Sequence, residues 1–123
     1  MAKITANIQI PDCVSNSHPN REYEIEFVFP EFTCINPETK FPEFATVSIQ
    51  YIPFEDCLDT VSLKKYLNGY REEEIYSHTA VNRILDDLVR ACQPREMSVT
   101  GDFTVRGGIS TSVSARYSAG DSA

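Results

Sequence analysis

Two side chains of this chain that could carry out acid–base chemistry are a carboxylate, Glu43, and an imidazole, His78. Glu43 is either a general acid or electrostatic lever in a pocket, or a solvated loop carboxylate. His78 follows Ser77 at the start of an expected helix, where it can exchange a proton near neutral pH or simply be exposed in the first turn. Asn36, which precedes Pro37, either contacts a substrate or caps a turn. We take Glu43 and His78 as the candidate catalytic residues.

The composition limits the partners and the location that can be expected. The 123 residues carry 18 acidic against 11 basic side chains, a net charge of −7, which argues against tight binding to a nucleic-acid backbone. No apolar run approaches the ~20 residues of a membrane span, and the first residues lack the apolar segment of a signal peptide. We expect one domain over residues 1–123, located in the cytoplasm and away from membranes.

Neither a metal site nor a disulfide framework is expected. The histidines number only two, and the cysteines are scattered without a closely spaced pair: Cys13, Cys34, Cys57 and Cys92. A zinc site needs clustered cysteine and histidine ligands, and cytosolic proteins rarely depend on disulfides. The sequence therefore predicts free buried thiols and no bound metal.

Alternation of apolar and polar residues predicts strands in the first half of the chain. Residues 3–10 alternate and a polar connector follows over 11–19, so residues 1–20 form an N-terminal strand and connector. Residues 22–29 alternate more strictly, with apolar side chains on one face and glutamates on the other. A further strand over 45–52 has four side chains that should point inward: Ala45, Val47, Ile49 and Tyr51.

Two helices are predicted in the second half of the chain. Residues 60–68 have apolar side chains at helical spacing, with Thr60 as the N-cap and Gly69 as the stop. Residues 77–92 carry a longer apolar stripe, and Ser77 can cap the start of this helix.

Two final strands, over 96–105 and 109–117, are joined by a turn at Arg106-Gly107-Gly108, and residues 118–123 should form a frayed tail. This order of strands, two helices and strands predicts an α+β fold with two helices on one face of an antiparallel sheet. So small a sheet leaves strand edges that need cover, which predicts edge-to-edge association into a homo-oligomer.

Short motifs along the chain resemble those of the QueF family, the NADPH-dependent 7-cyano-7-deazaguanine reductases. The similarity covers residues 14 to 117, roughly, and its blocks keep their order and spacing. The blocks include Asn20-Arg21-Glu22-Tyr23, Pro30-Glu31-Phe32-Thr33, Phe44-Ala45, Tyr51-Ile52-Pro53, Ser62-Leu63-Lys64, Pro94-Arg95 and Arg106-Gly107-Gly108-Ile109-Ser110. The resemblance implies the tunnelling (T-) fold, in which ββααββ subunits join their sheets into rings or barrels. It also implies purine-like substrates, here a 7-deazaguanine, bound at subunit interfaces.

The position of the family's nucleophile differs in this chain. Asn36 stands where the family has its catalytic cysteine, and Glu43 stands where it has an aspartate. An amide nitrogen is not nucleophilic at neutral pH, so Asn36 cannot attack a nitrile. Cys34 lies two residues earlier, and in an extended segment that shift displaces a side chain by roughly 6–7 Å.

Two further departures concern the cofactor and the purine. Val61 replaces a lysine of the family's cofactor motif, which removes a phosphate-binding charge, and we expect no bound cofactor. Ser77-His78 stand where the family has a His-Glu pair whose glutamate anchors the purine edge. A neutral His78 can accept only one hydrogen bond. The candidate substrate-binding residues that the resemblance implies are Asn36, Ser62, Leu63, Ser77 and His78.

Three functions follow as hypotheses. The first is non-redox chemistry on a 7-deazaguanine, most concretely decarboxylation of 7-carboxy-7-deazaguanine by a lyase. Glu43 would destabilise the substrate carboxylate or donate a proton, with His78 as a second donor. This reaction needs neither a nucleophile nor a hydride, so we favour it and expect no reductase activity. The second is the family's NADPH-dependent reduction, which would require Cys34 to move into place. The third is a non-catalytic module that binds a deazapurine or a protein.

Overall fold

A computed structural model describes residues 8–121, in which strands, two helices and further strands follow one another. The strands are β1 (Cys13–Ser15), β2 (Ile25–Ile35), β3 (Pro42–Ile52), β4 (Asp56–Leu58), β5 (Glu96–Arg106) and β6 (Ile109–Ser118). The helices are α1 (Thr60–Asn68) and α2 (Ser77–Cys92), and a short 3-10 turn, Ala119–Asp121, follows β6. Neither α1 nor α2 is long and apolar enough to cross a membrane.

The main sheet is antiparallel and has the order β2-β3-β5-β6. Helix α2 packs on β5 and β6, while α1 packs on β2. A second, two-stranded antiparallel ribbon is formed by β1 and β4. The predicted α+β fold, with two helices over an antiparallel sheet, is therefore confirmed.

The core lies between the helices and the sheet, and the alternation of β3 supplies one side of it. The inward residues predicted for this strand are all buried: Ala45, Val47, Ile49 and Tyr51. The stripe of α2 supplies the other side, with Ala80, Val81, Ile84, Leu85, Leu88 and Cys92 buried. Burial of a large apolar side chain stabilises the fold by about 1.5–3 kcal/mol relative to exposure. These two faces therefore fix the position of α2 over the sheet.

The first part of the chain differs from its prediction. Of the strand predicted over 3–10, residues 3–7 lie outside the described part of the chain, and residues 8–10 form no strand. The supposed connector instead contains β1, which pairs with β4. Strands of three residues are too short to show an alternating pattern, and only their long-range pairing makes them strands.

Strand β2 is longer than predicted and irregular. It begins at Ile25 and continues to Ile35, with a register shift between Phe29 and Phe32. After that bulge Phe32 and Cys34 are both fully buried. A bulge inserts an unpaired residue and bends the strand, so the alternation seen in the sequence before Phe29 does not continue through it.

Both helices have the predicted limits, but neither has the predicted N-cap. The N-cap of α1 is Asp59, whose Oδ2 accepts a hydrogen bond from the Ser62 amide at 2.9 Å, so Thr60 was the wrong residue. The N-cap of α2 is Tyr76, which makes no side-chain capping bond, and Ser77 is already helical. Gly69 ends α1 as predicted, and its amide reaches the Lys65 carbonyl at 3.1 Å.

The C-terminal segment is more ordered than a frayed tail as far as it is described. Ser118 is still part of β6. The amide of Ala119 donates to the carbonyl oxygen of Arg95 at 2.9 Å. This bond ties the short turn after β6 back to the segment that precedes β5.

Candidate ligand-binding site

The loop between β2 and β3 is closed by the side chain of Asn36. Its Oδ1 accepts hydrogen bonds from the amides of Glu38, at 2.8 Å, and Thr39, at 3.2 Å. The backbone of Asn36 also bonds to that of Phe41 at 3.0 Å. The turn-capping role proposed for an asparagine before proline is therefore present in the folded chain.

The same side chain also holds Glu43. Asn36 Nδ2 donates to Glu43 Oε2 at 3.0 Å, across the base of the loop. Glu43 is half-buried and lines a cavity of about 160 Å³. The other lining residues come from the first turn of α2 and from the β5–β6 hairpin: Ser77, Phe103, Thr104, Ile109 and Thr111. The fold thus brings Glu43 and Ser77 to one cavity, although they are far apart in sequence.

The start of α2 gives this cavity a positive side. The first amide in the helical ladder is that of Ala80, which bonds to the Tyr76 carbonyl at 2.9 Å. The amides before it in the first turn have no partner within the helix, and Tyr76 contributes no side-chain cap. Unpaired amides and the helix dipole make the start of a helix attractive to negative charge. A carboxylate and a helix N-terminus therefore lie at the same cavity.

Cys34 lies next to Glu43 but not in the cavity. The two residues are direct partners in the β2–β3 ladder, yet the Cys34 side chain is fully buried in the core. Burial first, and the Glu43 carboxylate second, raise the pKa of the Cys34 thiol to about 12. The thiolate is the nucleophilic form of cysteine, so Cys34 is not an active nucleophile in this arrangement.

His78 is placed away from the cavity lining. It is exposed, and its ring stacks on the ring of Tyr76 with centroids 5.6 Å apart. Its carbonyl oxygen accepts a hydrogen bond from Asn82 Nδ2 at 2.8 Å. Consecutive residues on a helix point in directions roughly 100° apart, so Ser77 can line the cavity while His78 does not. A role for His78 stays a prediction.

Ser62 and Leu63 are not part of the Glu43 cavity either. Ser62 Oγ accepts a hydrogen bond from the Asp12 amide at 2.6 Å, and Leu63 is buried in the core. Ser62 lines a separate cavity of about 440 Å³, together with Val61 and Lys65. Of the predicted substrate-binding residues, Asn36 and Ser77 therefore lie with Glu43 at one cavity and Ser62 lines another, while Leu63 lies in the core and His78 is exposed.

The second cavity contains the stretch that resembles the family's cofactor motif, so its charges matter. Val61 is 66% exposed and contributes no charge. Lys65 lines the cavity and Lys64 is exposed on the same helix. Two carboxylates, Asp12 and Asp59, also line it, and Asp59 is engaged as the N-cap of α1. The residues that could hold a cofactor phosphate here are Lys64 and Lys65. Within residues 8–121 no cluster of histidine, cysteine or carboxylate residues could hold a metal ion.

Residues that complete the Glu43 cavity were missed in the sequence. Phe103, Thr104, Ile109 and Thr111 were assigned to two strands, and some of them to family motifs, but none was predicted as a site residue. Their alternation identifies strands but does not tell which other element lies over the end of the hairpin. That information comes from the packing of α2 on β5 and β6.

Comparisons with known proteins identify the family. The model of the family described as QueF-like protein matches residues 42–122. The NADPH-dependent 7-cyano-7-deazaguanine reductase of Chlorobaculum tepidum is 43% identical over 112 residues, which are 91% of this chain and 96% of that protein. The protein of the same name from Thermomicrobium roseum is 49% identical over 104 residues, 85% of this chain and 81% of that protein.

A solved structure supports the T-fold. The crystal structure of the archaeosine synthase QueF-Like in the apo form matches with a TM-score of 0.68, covering 77% of this chain and 91% of that chain. At 23% identity this similarity concerns the fold alone.

The relatives also correct one expectation. A lyase was favoured above and reductase activity was disfavoured, but the relatives at 43–49% identity are named as reductases, which are oxidoreductases. The predicted lyase activity is therefore wrong for this family. It was inferred only from positions at which this chain differs from the family's motifs. The resemblance itself is confirmed, and by its family match and its relatives this chain belongs to the QueF family.

Proposed function

We propose that this chain binds a 7-deazaguanine, of the kind that gives its relatives their name, in the cavity at Glu43. The observation that carries the proposal is the Glu43 carboxylate, which lines the cavity with one oxygen held by Asn36. A guanine-type ring carries an N–H and an amino group side by side, and a carboxylate can accept both hydrogen bonds. Glu43 would then take over the anchoring of the purine edge that His78 cannot provide.

The remaining lining suits a flat heteroaromatic ring. Phe103 and Ile109 offer apolar surface, and Ser77, Thr104 and Thr111 offer hydroxyl groups that can donate or accept. Ligand sites are mostly apolar, with a few polar groups that fix the orientation of the ligand. The cavity has this composition, and among the described residues that line it Glu43 is the charged one.

We further propose that a second copy of the chain completes the site. The cavity of about 160 Å³ is smaller than the roughly 300–1,000 Å³ typical of small-molecule pockets. Ile109 of the lining is 69% exposed in the single protomer, and two phenylalanines near Glu43 in the sequence, Phe41 and Phe44, are exposed by 62% and 45%. A ring or barrel of T-fold subunits would cover them. Light scattering should show a homo-oligomer at micromolar concentration, and a monomer would contradict this proposal.

The reaction that we propose first is NADPH-dependent reduction of 7-cyano-7-deazaguanine. Its support is the identity of 43–49% to relatives named for that reaction. NADPH would supply the hydride, and Lys64 and Lys65 are the side chains available to hold its phosphates. Glu43 would orient the ring, and the apolar part of the lining would limit access of water.

A second candidate is binding of the deazaguanine without turnover. It is favoured by the surroundings of the nucleophile position, where Asn36 is engaged with Glu43 and the turn, and where Cys34 is fully buried. A covalent route through a thiolate would need Cys34 to leave the core. Both candidate functions use the same ligand site. They differ in whether the bound nitrile is reduced.

One experiment separates the two. The protein is titrated with 7-cyano-7-deazaguanine by calorimetry and is then incubated with the same compound and NADPH. Binding, NADPH oxidation and the 7-aminomethyl product, identified by mass spectrometry, support the reductase. Binding with neither oxidation nor product supports the non-catalytic module. The absence of binding by the intact oligomer would contradict the site proposal itself.

A further inference from the structure

Glu73 is a buried acidic residue that does not line the proposed ligand site. Only 2% of the residue is exposed, and its side chain is fully buried. Among the described residues it faces Arg83, whose Nη1 lies 3.6 Å from Glu73 Oε2 and is itself buried. Burying an ion pair carries a desolvation penalty that its attraction must offset, so such a pair is weak evidence for a role in stability alone.

Glu73 belongs to a segment that is attached to the end of β2. Its carbonyl oxygen accepts a hydrogen bond from the Ile35 amide at 2.9 Å. The Ile75 amide donates to the Ile35 carbonyl, also at 2.9 Å, and Ile75 is buried. Residues 73–75 therefore pair in parallel alongside Ile35 at the end of β2, immediately before Asn36.

Arg83 connects this segment to α2. It lies on the helix that begins at Ser77, its guanidinium lies 5.4 Å from the centre of the Tyr70 ring, and its Nε lies 3.8 Å from Asp87 Oδ2. Helix α2 has no side-chain N-cap, and Arg83 lies in the turn that follows its first turn. The pair thus joins the end of β2 to the helix whose first residue lines the Glu43 cavity.

We propose that Glu73 and Arg83 are positioning residues, which set the place of Ser77 and the first turn of α2 relative to Asn36 and Glu43. The inference rests on the proposed ligand site, which it extends. The ion pair joins one position of the loop to one position of α2. Apolar side chains in the same place would pack without specifying that pairing. Neither residue touches the ligand cavity.

The matched controls come from the same regions. Glu74→Gln removes the neighbouring ion pair with Lys40, which has a separation of 2.8 Å but is exposed. Exposed pairs contribute little, so this variant should leave ligand affinity within about twofold of the wild type. Cys92→Ala creates a small defect at the far end of α2. It should lower the melting temperature without changing the affinity of the folded oligomer.

The test is a double-mutant cycle of Glu73→Gln, Arg83→Met and the two together. Affinity for 7-cyano-7-deazaguanine is measured by calorimetry, at a temperature where circular dichroism shows each variant folded. We expect Glu73→Gln to weaken binding by about tenfold, with non-additive effects of the two changes. If Glu73→Gln does not fold, the affinity of the double variant is the test. In that variant Arg83 is also replaced, so its charge is not left buried without Glu73.

Wild-type affinity in a folded Glu73→Gln or double variant overturns the proposal, as do strictly additive effects. A loss of affinity in Cys92→Ala as large as that in Glu73→Gln also overturns it, since the effect would then follow stability. Hydrogen–deuterium exchange of the ligand-free protein provides a second readout. Faster exchange confined to peptides over residues 33–36 and 73–79 supports positioning, and a uniform increase opposes it. This readout remains decisive if the wild type binds no deazaguanine, an outcome that would refute only the proposed function.

Discussion

Asn36 and Glu43 are joined by a hydrogen bond of 3.0 Å between Nδ2 and Oε2, while Asn36 Oδ1 closes the β2–β3 turn. The Asn36 side-chain amide thus accepts hydrogen bonds from the loop backbone through its oxygen and donates one to the Glu43 carboxylate through its nitrogen. The two readings of Asn36 in the sequence, turn cap and site residue, are therefore compatible. A cysteine at this position could not make both contacts, since a thiol is a weak donor and a weak acceptor.

The role of Glu43 as a ligand anchor can be tested by neutralising it. Glu43→Gln keeps the shape and can still accept from Asn36, but it loses the charge that strengthens hydrogen bonds to the ligand. We expect the affinity for 7-cyano-7-deazaguanine to fall by about tenfold or more, since hydrogen bonds to charged groups contribute about 1.5–3 kcal/mol. Calorimetry gives the measurement. Glu38→Gln, on the same loop but exposed, serves as the control, and equal affinities of the two variants would exclude Glu43 as the anchor.

The contact between Asn36 and Glu43 should be visible in the pH dependence of stability. Asn36→Asp keeps an oxygen for the turn amides but places a second carboxylate beside Glu43. Like charges raise the folded-state pKa of such a pair. The variant should therefore match the wild type most closely at about pH 4, and should lose stability as the pH rises to neutral and the carboxyls ionise.

Urea denaturation at both pH values measures this change. Asn36→Ala is the control, because it removes the donor and the acceptor without adding charge. Its loss should be about 1–2 kcal/mol, and it should change less between the two pH values than that of Asn36→Asp. A stability of Asn36→Asp that does not change between the two pH values would show that the carboxylates are not close in solution.

A thiol introduced at position 36, where the family resemblance places a nucleophile, gives a direct test of covalent chemistry. Asn36→Cys places sulfur beside Glu43, which lines the cavity. With 7-cyano-7-deazaguanine we expect a covalent thioimidate, in which sulfur bonds to the nitrile carbon and the thiol proton moves to the nitrile nitrogen. Intact-protein mass spectrometry should show an increase equal to the mass of the ligand. Asn36→Ser should give no adduct, and a non-reactive Asn36→Cys variant that still binds ligand would show that the cavity presents the nitrile elsewhere.

The burial of Cys34 predicts its reactivity. With a pKa of about 12 and no exposure, Cys34 should resist alkylation by iodoacetamide at pH 8 in the folded protein, whereas the half-buried Cys57 should be modified. Peptide mass spectrometry identifies the labelled residue. Alkylation of Cys34 at a rate similar to that of Cys57 would show that the thiol reaches solvent, and it would favour the covalent route of reduction.

The same raised pKa has a consequence for stability at alkaline pH. The folded pKa of Cys34 lies above its ordinary value of 9.0, so the folded state binds the proton more tightly than the unfolded state. This contribution is fully present below pH 9 and is lost as the pH rises toward 12. Urea denaturation from pH 8 to pH 11 should show a smaller loss for Cys34→Ala than for the wild type. An equal loss of stability in Cys34→Ala and the wild type over this pH range would contradict the raised pKa of Cys34.

The close approach of α2 to β5 predicts a steric defect at Gly101. A Cβ added there would lie 2.9 Å from Val81 Cγ2 and 3.0 Å from the Phe103 ring. Gly101→Ala should therefore destabilise the protein by about 1–3 kcal/mol through overpacking. Gly120→Ala is the control, because its added Cβ meets no atom within 4 Å. Thermal denaturation compares the two, and equal melting temperatures would mean that α2 lies farther from the sheet.

Local patterns in the sequence determined much of the fold. Both helices, Thr60–Asn68 and Ser77–Cys92, have the limits that their apolar spacing predicted. The inward side chains of β3 were also identified correctly, because a strand places alternate residues on opposite faces. The ordered blocks of residues led to the family. Each of these inferences depends on residues that are near one another in the chain.

What the sequence left open depends on contacts between distant segments. The pairing of β1 with β4 and the bulge in β2 arise from contacts between segments that are apart in the chain. The composition of the site does as well. Glu43 and Ser77 meet because α2 packs over the end of the sheet, while Cys34, although it is the ladder partner of Glu43, points into the core. Residue types in the sequence indicated the candidate site residues, and the tertiary structure determines which of them line the same cavity.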